Sequence, residues 1–372
     1  SIGVDLPESG AAASSGLPTL NGVKFAVQKA GGSVSGWTLT VENRDDAVGG
    51  AYNADKGVQN VTDLINNNAV VAMVGPFNSA VAKAEIPVAN AAGFTMISPS
   101  NTNPCLTKDL ATCSYHPQDL RKKANNYFRV VATDDLQGPA MADYAYNTLG
   151  IKKIGVLDEK TVFGVGIADA FQAQFKKDGG DFKRDSYDPK TTTDWRSILN
   201  GFKSFGATAL YVGGTDDQGA CKPRGQMNAL GIGSWPYLGG DGIETSQCID
   251  DAADAAAGVS ATTAGADAGQ ISSAASVITD YKKAFTGAKL VKGFNHLIAA
   301  TLATDPIVEG GHRVVFLSSD DEDAIAPVAD LAKQLGFAPV KLGKLNEGGA
   351  LVHARGKTWG RLIFQDLFKK QQ

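Results

Sequence analysis

Cysteine and histidine are both scarce in this chain of 372 residues, which contains four of each. No two cysteines form a Cys-x-x-Cys pair, so the spacing of most zinc sites is absent and we expect no metal site. No apolar run approaches the length of about 18 residues that a membrane-spanning helix needs. The net charge is only −4, with lysine and arginine scattered along the chain, which argues against a nucleic-acid-binding surface.

The sequence also lacks the motifs that bind phosphates or carry a catalytic serine. It has no Gly-x-Gly-x-x-Gly opening a helix after a first strand, no Gly-x-x-x-x-Gly-Lys-Ser/Thr and no Gly-x-Ser-x-Gly. Gly164 and Gly166 supply only Gly-x-Gly, and His116 and His353 stand in polar or basic stretches typical of a surface. We therefore expect no catalytic residues and no cofactor, which means that the protein is not an enzyme.

The composition is that of a globular protein with a substantial core. Hydrophobic residues make up 43% of the chain and charged residues 20%, which excludes intrinsic disorder and collagen-like structure. The length alone indicates about two to three domains.

Short apolar runs alternate with amphipathic stretches, which indicates parallel sheets with right-handed helical crossovers. A polar stretch at 101–126 separates two such runs, so we predict an α/β fold of two doubly wound lobes. Apolar residues between 51 and 65 recur at helical spacing, and further helices are predicted at 79–92 and 164–177, from Trp195 and from about Gly219. The predicted strands are 38–42, 69–75, 94–98, 127–132, 153–158, 208–214 and 236–240.

Five polar loops follow predicted strands, at 75–80, 98–104, 158–164, 213–219 and 239–244. Ligands of open parallel sheets bind at the carboxyl ends of the strands, where helix N-termini point. Each of the Ser, Thr and Asp residues in these loops could instead cap a helix. Because the five loops are distributed over both lobes, we predict a binding site between the lobes.

The cysteines fall into two close pairs, Cys105 with Cys113 and Cys221 with Cys248. Paired loop cysteines favour two disulfides and an oxidising compartment, whereas four free thiols would fit a cytosolic protein. The chain begins directly on a predicted strand, as a processed mature chain would.

From residue 1 to about 287 the sequence resembles the type I periplasmic solute-binding proteins of the branched-chain amino-acid transport group. The resemblance implies two hinged lobes, a monomer in the periplasm, and delivery of a small amino-acid-like ligand to a membrane ABC permease. It divides the chain into a first lobe of 1–121 plus about 250–287 and a second lobe of 122–249. The stretches that carry it are IGVDLPESGAAASSGLPTLNGVKFAV, VGPFNSAVAKAEIPVANAAGFTMISPSNTNP, VFGVGIADAF, LYVGGTDDQGA and LGGDG.

The resemblance also implies the roles of site residues. Hydroxyls of the first lobe would bind the ligand's carboxylate, and an acid of the second lobe would bind its ammonium group. Phe163 stands at an aromatic position of the family and here lacks a hydroxyl, so it would form an apolar wall, with Phe77 on the other side. The matching hydroxyl positions are Ser79, Ser100 and Thr102, and the candidate acids are Asp241 and Asp216.

After residue 287 the sequence departs from that family. The segment 288–372 resembles the C-terminal half of NADP-dependent reductases related to coenzyme F420 enzymes, through VKGFNHL, GGHRVVFLSSDD and LGFAPVKLGKLNEGG. A Rossmann-half segment with strands at 314–317 and 339–342 is predicted. The chain would then be a natural or engineered chimera, whose tail either completes the lobes structurally or serves a reductase. A designed scaffold without a ligand is a further alternative.

Overall fold

The computed structural model describes residues 1–252, 255–265, 289, 291–294, 304–308, 311–345 and 347–351. The chain divides into two compact units, Ser1–Gly265 and Ala266–Gln372. None of the described helices is both long and apolar enough to cross a lipid bilayer.

A five-stranded parallel sheet forms the first lobe, and its strands follow the order 2-1-3-4-5 of a doubly wound fold. Its strands in spatial order are Val41–Asp45, Ile2–Leu6, Ala72–Val74, Thr95–Ser98 and Tyr127–Arg129. Its helices are Ala13–Lys29, Ala54–Asn66, Ser79–Ala92 and the short Pro117–Leu120. The core between the sheet and two of these helices contains Leu64, Met73, Ile86 and Met96.

The second lobe repeats this topology with another five-stranded parallel sheet. Its strands in spatial order are Asp181–Ser186, Lys153–Asp158, Leu210–Gly213, Tyr237–Gly239 and Val259–Ala261. Its helices are Asp134–Asp143, which continues as a π-helical turn over Tyr144–Thr148, then Val162–Lys177, Arg196–Phe205, Lys222–Met227 and Ser246–Ala252. The predicted pair of doubly wound lobes is therefore present.

Several element boundaries differ from the sequence predictions. The strand predicted at 38–42 begins at Val41, because Trp37–Thr38 pairs with Ser33–Val34 as a hairpin instead. The helix predicted from about Gly219 begins at Lys222, because a 3₁₀ turn over Asp216–Gln218 ends on Gly219 with a φ of 82°.

The segment around residue 51, predicted as helical, also differs. Ala51–Tyr52 pairs with Ala47–Val48 in a two-stranded ribbon. The helix begins only at Ala54, because the side chain of Asn53 accepts a hydrogen bond from the backbone N–H of Lys56 and caps it there.

The lobes also divide at different residues from those predicted. Tyr127–Arg129, assigned above to the second lobe, is the edge strand of the first sheet. Val259–Ala261, assigned above to the first lobe, is the edge strand of the second sheet. The two segments that follow these edge strands meet where the N–H of Ala132 donates to the carbonyl of Ala264 at 2.9 Å.

Both predicted disulfides are formed, Cys105–Cys113 and Cys221–Cys248. The first ties the loop between strands Thr95–Ser98 and Tyr127–Arg129 of the first sheet. The second joins the start of helix Lys222–Met227 to helix Ser246–Ala252, and both of its cysteines are buried.

The second unit has a three-stranded sheet among its described residues. Val314–Ser318 pairs in parallel with Ala338–Lys341 across helix Glu322–Gln334, close to the predicted strands. Lys292–Gly293 pairs antiparallel to Val314–Ser318, whereas a Rossmann half would be wholly parallel. A short hairpin of Ile307–Val308 with Gly311–His312 and a helical turn Gly348–Leu351 complete the described elements.

Candidate functional site

The five predicted loops all follow strands at the carboxyl edges of the two sheets, and these edges are in contact. The side-chain amide of Asn103 in the first lobe donates to the carbonyl of Val162 in the second at 2.8 Å. The backbone N–H of Tyr52 in the first lobe lies 3.4 Å from a carboxylate oxygen of Asp217 in the second. We call the region between these two edges the cleft, and the sequence analysis predicts that the ligand binds there.

Neutral polar side chains hold together the two first-lobe loops at the cleft. The hydroxyl of Ser98 donates to the carbonyl of Pro76 at 2.8 Å and accepts from the N–H of Asn101 at 2.9 Å. The amide of Asn101 donates to the carbonyl of Phe77 at 2.8 Å, and its oxygen accepts from the hydroxyl of Tyr127 at 2.6 Å. The guanidinium of Arg129 adds to this network, donating to the carbonyls of Asn101 at 2.8 Å and of Asn103 at 2.7 Å.

The three predicted hydroxyl residues lie along this edge. Ser79 is the first residue of helix Ser79–Ala92, and its buried hydroxyl accepts from the N–H of Asn103 at 3.3 Å. Thr102 is buried, and Ser100 is half-buried. The position of Ser79 at a helix N-terminus suits an anionic group, because the unpaired backbone N–H groups and the helix dipole both favour negative charge.

Phe77 lies in the same loop but serves the first-lobe core as well. Its half-buried ring packs against a cluster that contains Val4, Leu6 and Leu20. A role as a wall of the cleft therefore remains a prediction for this residue.

In the second lobe, Phe163 and Asp241 come together at a glycine-rich turn. Phe163 is buried in the first turn of helix Val162–Lys177, and its ring covers the turn that contains Asp241. A Cβ atom on Gly242 would lie only 2.7 Å from the ring, and one on Gly240 would lie 2.2 Å from Ile167. Larger residues beside Asp241 would therefore push the ring or the turn aside.

The carboxylate of Asp241 has a defined partner. Its Oδ1 accepts a hydrogen bond of 3.0 Å from the side-chain amide of Gln137. Removal from solvent raises the pKa of Asp241 to about 6, and the hydrogen bond from Gln137 opposes this increase. A pKa of about 6 lies below neutral pH, which favours the carboxylate form of Asp241 at pH 7.

The carboxylate of Asp216, the second candidate acid, is hydrogen-bonded within its own lobe. It accepts hydrogen bonds from the hydroxyl of Thr245 and from the N–H of Asp217, the latter at 2.7 Å. Burial raises the pKa of Asp216 to about 6. Its contacts tie the loop after one strand to the loop after the next, which is a structural role.

The sequence reasoning missed Glu159, although it stands within one of the predicted loops. Its side chain is fully buried and accepts from the hydroxyl of Thr161 at 2.6 Å and from the N–H of Thr215 at 2.7 Å. Burial raises the pKa of Glu159 to about 8. The sequence could have indicated Glu159, because this acidic residue directly follows a predicted apolar strand.

Tyr52 was also missed, because its segment reads as the start of a helix. Burial raises its hydroxyl pKa well above the ordinary value, and the charges of Glu159 and Asp217 in the second lobe raise it further. This first-lobe tyrosine therefore lies against the acidic edge of the second lobe.

Within the part of the chain that the structure describes, no three His, Cys, Asp or Glu side chains converge as metal ligands. The chemistry of the cleft is that of hydroxyls, amides and carboxylates.

A protein-family model described as periplasmic binding protein matches residues 1–303. Among characterised proteins, the chain is 29% identical over 250 residues to an amino acid binding protein of Pseudomonas aeruginosa, covering 66% of this chain and 61% of that protein. The match thus spans less than two thirds of that relative. The Leu/Ile/Val-binding protein BraC3 of Rhizobium johnstonii is 26% identical over 355 residues, covering 93% of this chain and 87% of that protein.

Solved structures give a similar result. A leucine binding protein LivK from Thermotoga maritima superposes with a TM-score of 0.65 and 26% identity, covering 76% of this chain and 75% of that one. The branched-chain amino acid binding protein LivJ from Streptococcus pneumoniae, in complex with isoleucine, superposes with a TM-score of 0.61 and 25% identity, covering 76% of each chain.

Proposed function

The chain belongs to the periplasmic binding protein family, and from this premise we propose that it captures an amino acid or close analogue between its lobes. The captured ligand would be passed to a membrane ABC importer, and the protein would act in the periplasm as a monomer. The names of the relatives from Pseudomonas and Rhizobium and the isoleucine bound to the Streptococcus protein support the ligand class.

One observation carries the proposal: the two edges of the cleft have opposite electrostatic character. The first lobe offers a helix N-terminus with Ser79, Ser100 and Thr102 nearby, which favours an anion. The second lobe offers the ionised carboxylate of Asp241 beside the ring of Phe163. A zwitterion fits this arrangement, with its carboxylate on the first lobe, its ammonium group on Asp241 and an apolar side chain against Phe163.

Asp241 is the better of the two candidate acids for the ammonium group. The carboxylate of Asp216 already accepts two hydrogen bonds from its own lobe. Asp241 accepts hydrogen bonds from Gln137 and from backbone N–H groups of its own turn, but this turn, unlike the Asp216 loop, has a glycine on each side of the acid, and glycines allow close approach.

We further propose that the segment from about 288 completes the fold and binds no NADP(H). Both the family model and the match to the Rhizobium relative extend past residue 288, where the reductase-like segment is predicted to begin. The glycine-rich turn that would admit a pyrophosphate is missing from the sequence. The origin of the segment in a reductase, and with it a chimeric chain, stays a prediction.

The test compares Asp241→Ala with the wild type after any co-purified ligand has been removed by unfolding and refolding. Calorimetric titration with L-leucine, L-isoleucine and L-valine should give an affinity at least about 30-fold lower for the variant, because losing one partner of a buried charge pair costs about 2–5 kcal/mol. Asp63→Asn is the matched control, since Asp63 is an exposed acid on helix Ala54–Asn66.

Two results would contradict the ammonium role. One is an unchanged dissociation constant in Asp241→Ala together with a lower melting temperature, which would make Asp241 a structural cap. The other is equal affinity of the wild type for leucine and for its des-amino analogue, 4-methylpentanoate.

A further inference from the structure

We propose that Gln137 is a positioning residue that holds Asp241 in place for the ligand and connects that carboxylate to the segment by which the chain passes from the first lobe to the second and to the segment that follows Val259–Ala261. The inference rests on the proposed function, because it assigns Asp241 to the ligand's ammonium group. It concerns a residue that does not itself touch the ligand.

The side-chain amide of Gln137 makes hydrogen bonds to three other side chains. Its nitrogen donates to Oδ1 of Asp241 at 3.0 Å and to Oδ1 of Asp134 at 3.2 Å, while its oxygen accepts from the hydroxyl of Thr262 at 2.7 Å. The carboxylate of Asp241 only accepts hydrogen bonds when it is ionised, and the hydroxyl of Thr262 donates to the amide oxygen, so the amide nitrogen faces Asp241. The chemistry of the neighbours therefore fixes the orientation of this buried amide.

The partners of Gln137 belong to different parts of the chain. Asp134 and Gln137 lie in the first turn of helix Asp134–Asp143, directly after the chain leaves the first sheet. Thr262 directly follows Val259–Ala261, the edge strand of the second sheet, and its N–H donates to the carbonyl of Gly239 at 3.2 Å. The segment that passes from the first lobe to the second pairs with the segment after Val259–Ala261 through the N–H of Ala132 and the carbonyl of Ala264. A movement of Asp241 would therefore also move the segment that connects the two lobes.

The amide also separates two acids that would otherwise repel each other. Burial and the charge of Asp241 raise the pKa of Asp134 well above its usual range, and the hydrogen bond from Gln137 opposes the shift. For Asp241, burial raises the pKa to about 6, Gln137 opposes the shift and the charge of Glu244 adds to it. The other ionisable neighbours are Arg129, which favours the charged form of Asp134, and the buried Tyr211.

The direction of the effect follows from these contacts. Without the amide, Asp241 would hold its proton to a higher pH, and a protonated Asp241 cannot pair with an ammonium group. An upward shift of one unit lowers affinity about tenfold at any pH below both pKa values and leaves it unchanged well above them.

The experiment uses the full chain with Gln137→Met, which keeps the side-chain length and removes both donors. Gln174→Met is a closely matched control, because Gln174 also bridges two carboxylates, donating to Asp143 at 2.9 Å and to Asp178 at 2.8 Å. Melting temperatures establish that both variants are folded.

Two readouts follow, the titration of the Asp241 carboxyl carbon by NMR in the ligand-free protein and the affinity for L-leucine between pH 5.5 and 8.5. We expect Gln137→Met to raise the pKa of Asp241 by a unit or more, and to weaken leucine binding about fivefold or more at pH 6 with recovery by pH 8.5. Gln174→Met should change neither.

An unshifted Asp241 titration in Gln137→Met would overturn the proposal, as would an affinity loss that is the same at every pH. Failure of the wild type to bind leucine would count against the proposed function instead, while the titration would still decide whether Gln137 holds Asp241 ionised.

Discussion

The two lobes share one sheet topology but meet at the cleft with different side chains. The first lobe fixes its loops with hydroxyls, amides and one cation, namely the side chains of Ser79, Ser98, Asn101 and Asn103 and the guanidinium of Arg129. The second lobe fixes its loops with carboxylates, which are Glu159, Asp216, Asp217 and Asp241. The comparison shows that topology sets where the loops lie, while the residues on them set the sign of charge that a ligand must present.

The first lobe does contain buried acids, but they lie in and beside its sheet and away from the hydroxyl residues. Burial raises the pKa of Asp5 to about 6, and burial together with the charge of Asp5 raises the pKa of Glu85. Asp5 also accepts from the amide of Asn60 at 2.7 Å. Asp5 and Glu85 thus have one another and the amide of Asn60 as partners.

The largest expected effects on stability come from removing the disulfides, of which each lobe contains one. Replacing both cysteines of Cys221–Cys248 by serine should lower the free energy of unfolding by about 3.5 kcal/mol, and the same change at Cys105–Cys113 by about 2.5 kcal/mol, because the longer loop gains more chain entropy when it is opened. The separations along the chain are 27 and 8 residues. Urea unfolding of the two double variants provides the measurement, and a larger loss for the Cys105–Cys113 pair would contradict the expectation.

The second difference is pH dependence, which the carboxylates of the second lobe should impose. The pKa of Glu159 is about 8 in the folded protein, above its unfolded value of about 4.3. A raised folded pKa means that the folded state keeps a proton that the unfolded chain has lost, so stability falls as pH rises from about 5 through 8. Glu159 should account for a loss of about 2 kcal/mol between pH 6 and 8.

Glu159→Gln separates this contribution from those of the other buried acids. Urea unfolding at pH 6 and pH 8 should show a smaller decrease for this variant than for the wild type. An equal decrease in both proteins would mean that Glu159 does not titrate in this range.

The sequence allowed the two lobes, most of their strands and both disulfides to be predicted, because each depends on local periodicity or on cysteines close along the chain. The edge strand Val259–Ala261 was not predicted. Phe163 and Asp241 were predicted from a family resemblance, and they do lie together. Gln137 could not be found in this way, since its contact with Asp241 joins residues 104 apart along the chain. Tyr52 was missed because apolar spacing extends the helix past Asn53, where a side-chain cap starts it instead.

The smallest expected effect distinguishes a helix that faces the cleft from one that does not. Asn78 and Asn53 each cap a helix of the first lobe, accepting from the N–H of Ala80 at 2.8 Å and of Lys56 at 2.9 Å. Replacing either by alanine should lower the free energy of unfolding by about 1 kcal/mol. Only Asn78→Ala should also weaken leucine binding, by a few-fold, because helix Ser79–Ala92 presents its N-terminus to the proposed carboxylate site. Thermal unfolding and calorimetric titration of both variants test this, and equal affinities would place the ligand's carboxylate away from this helix.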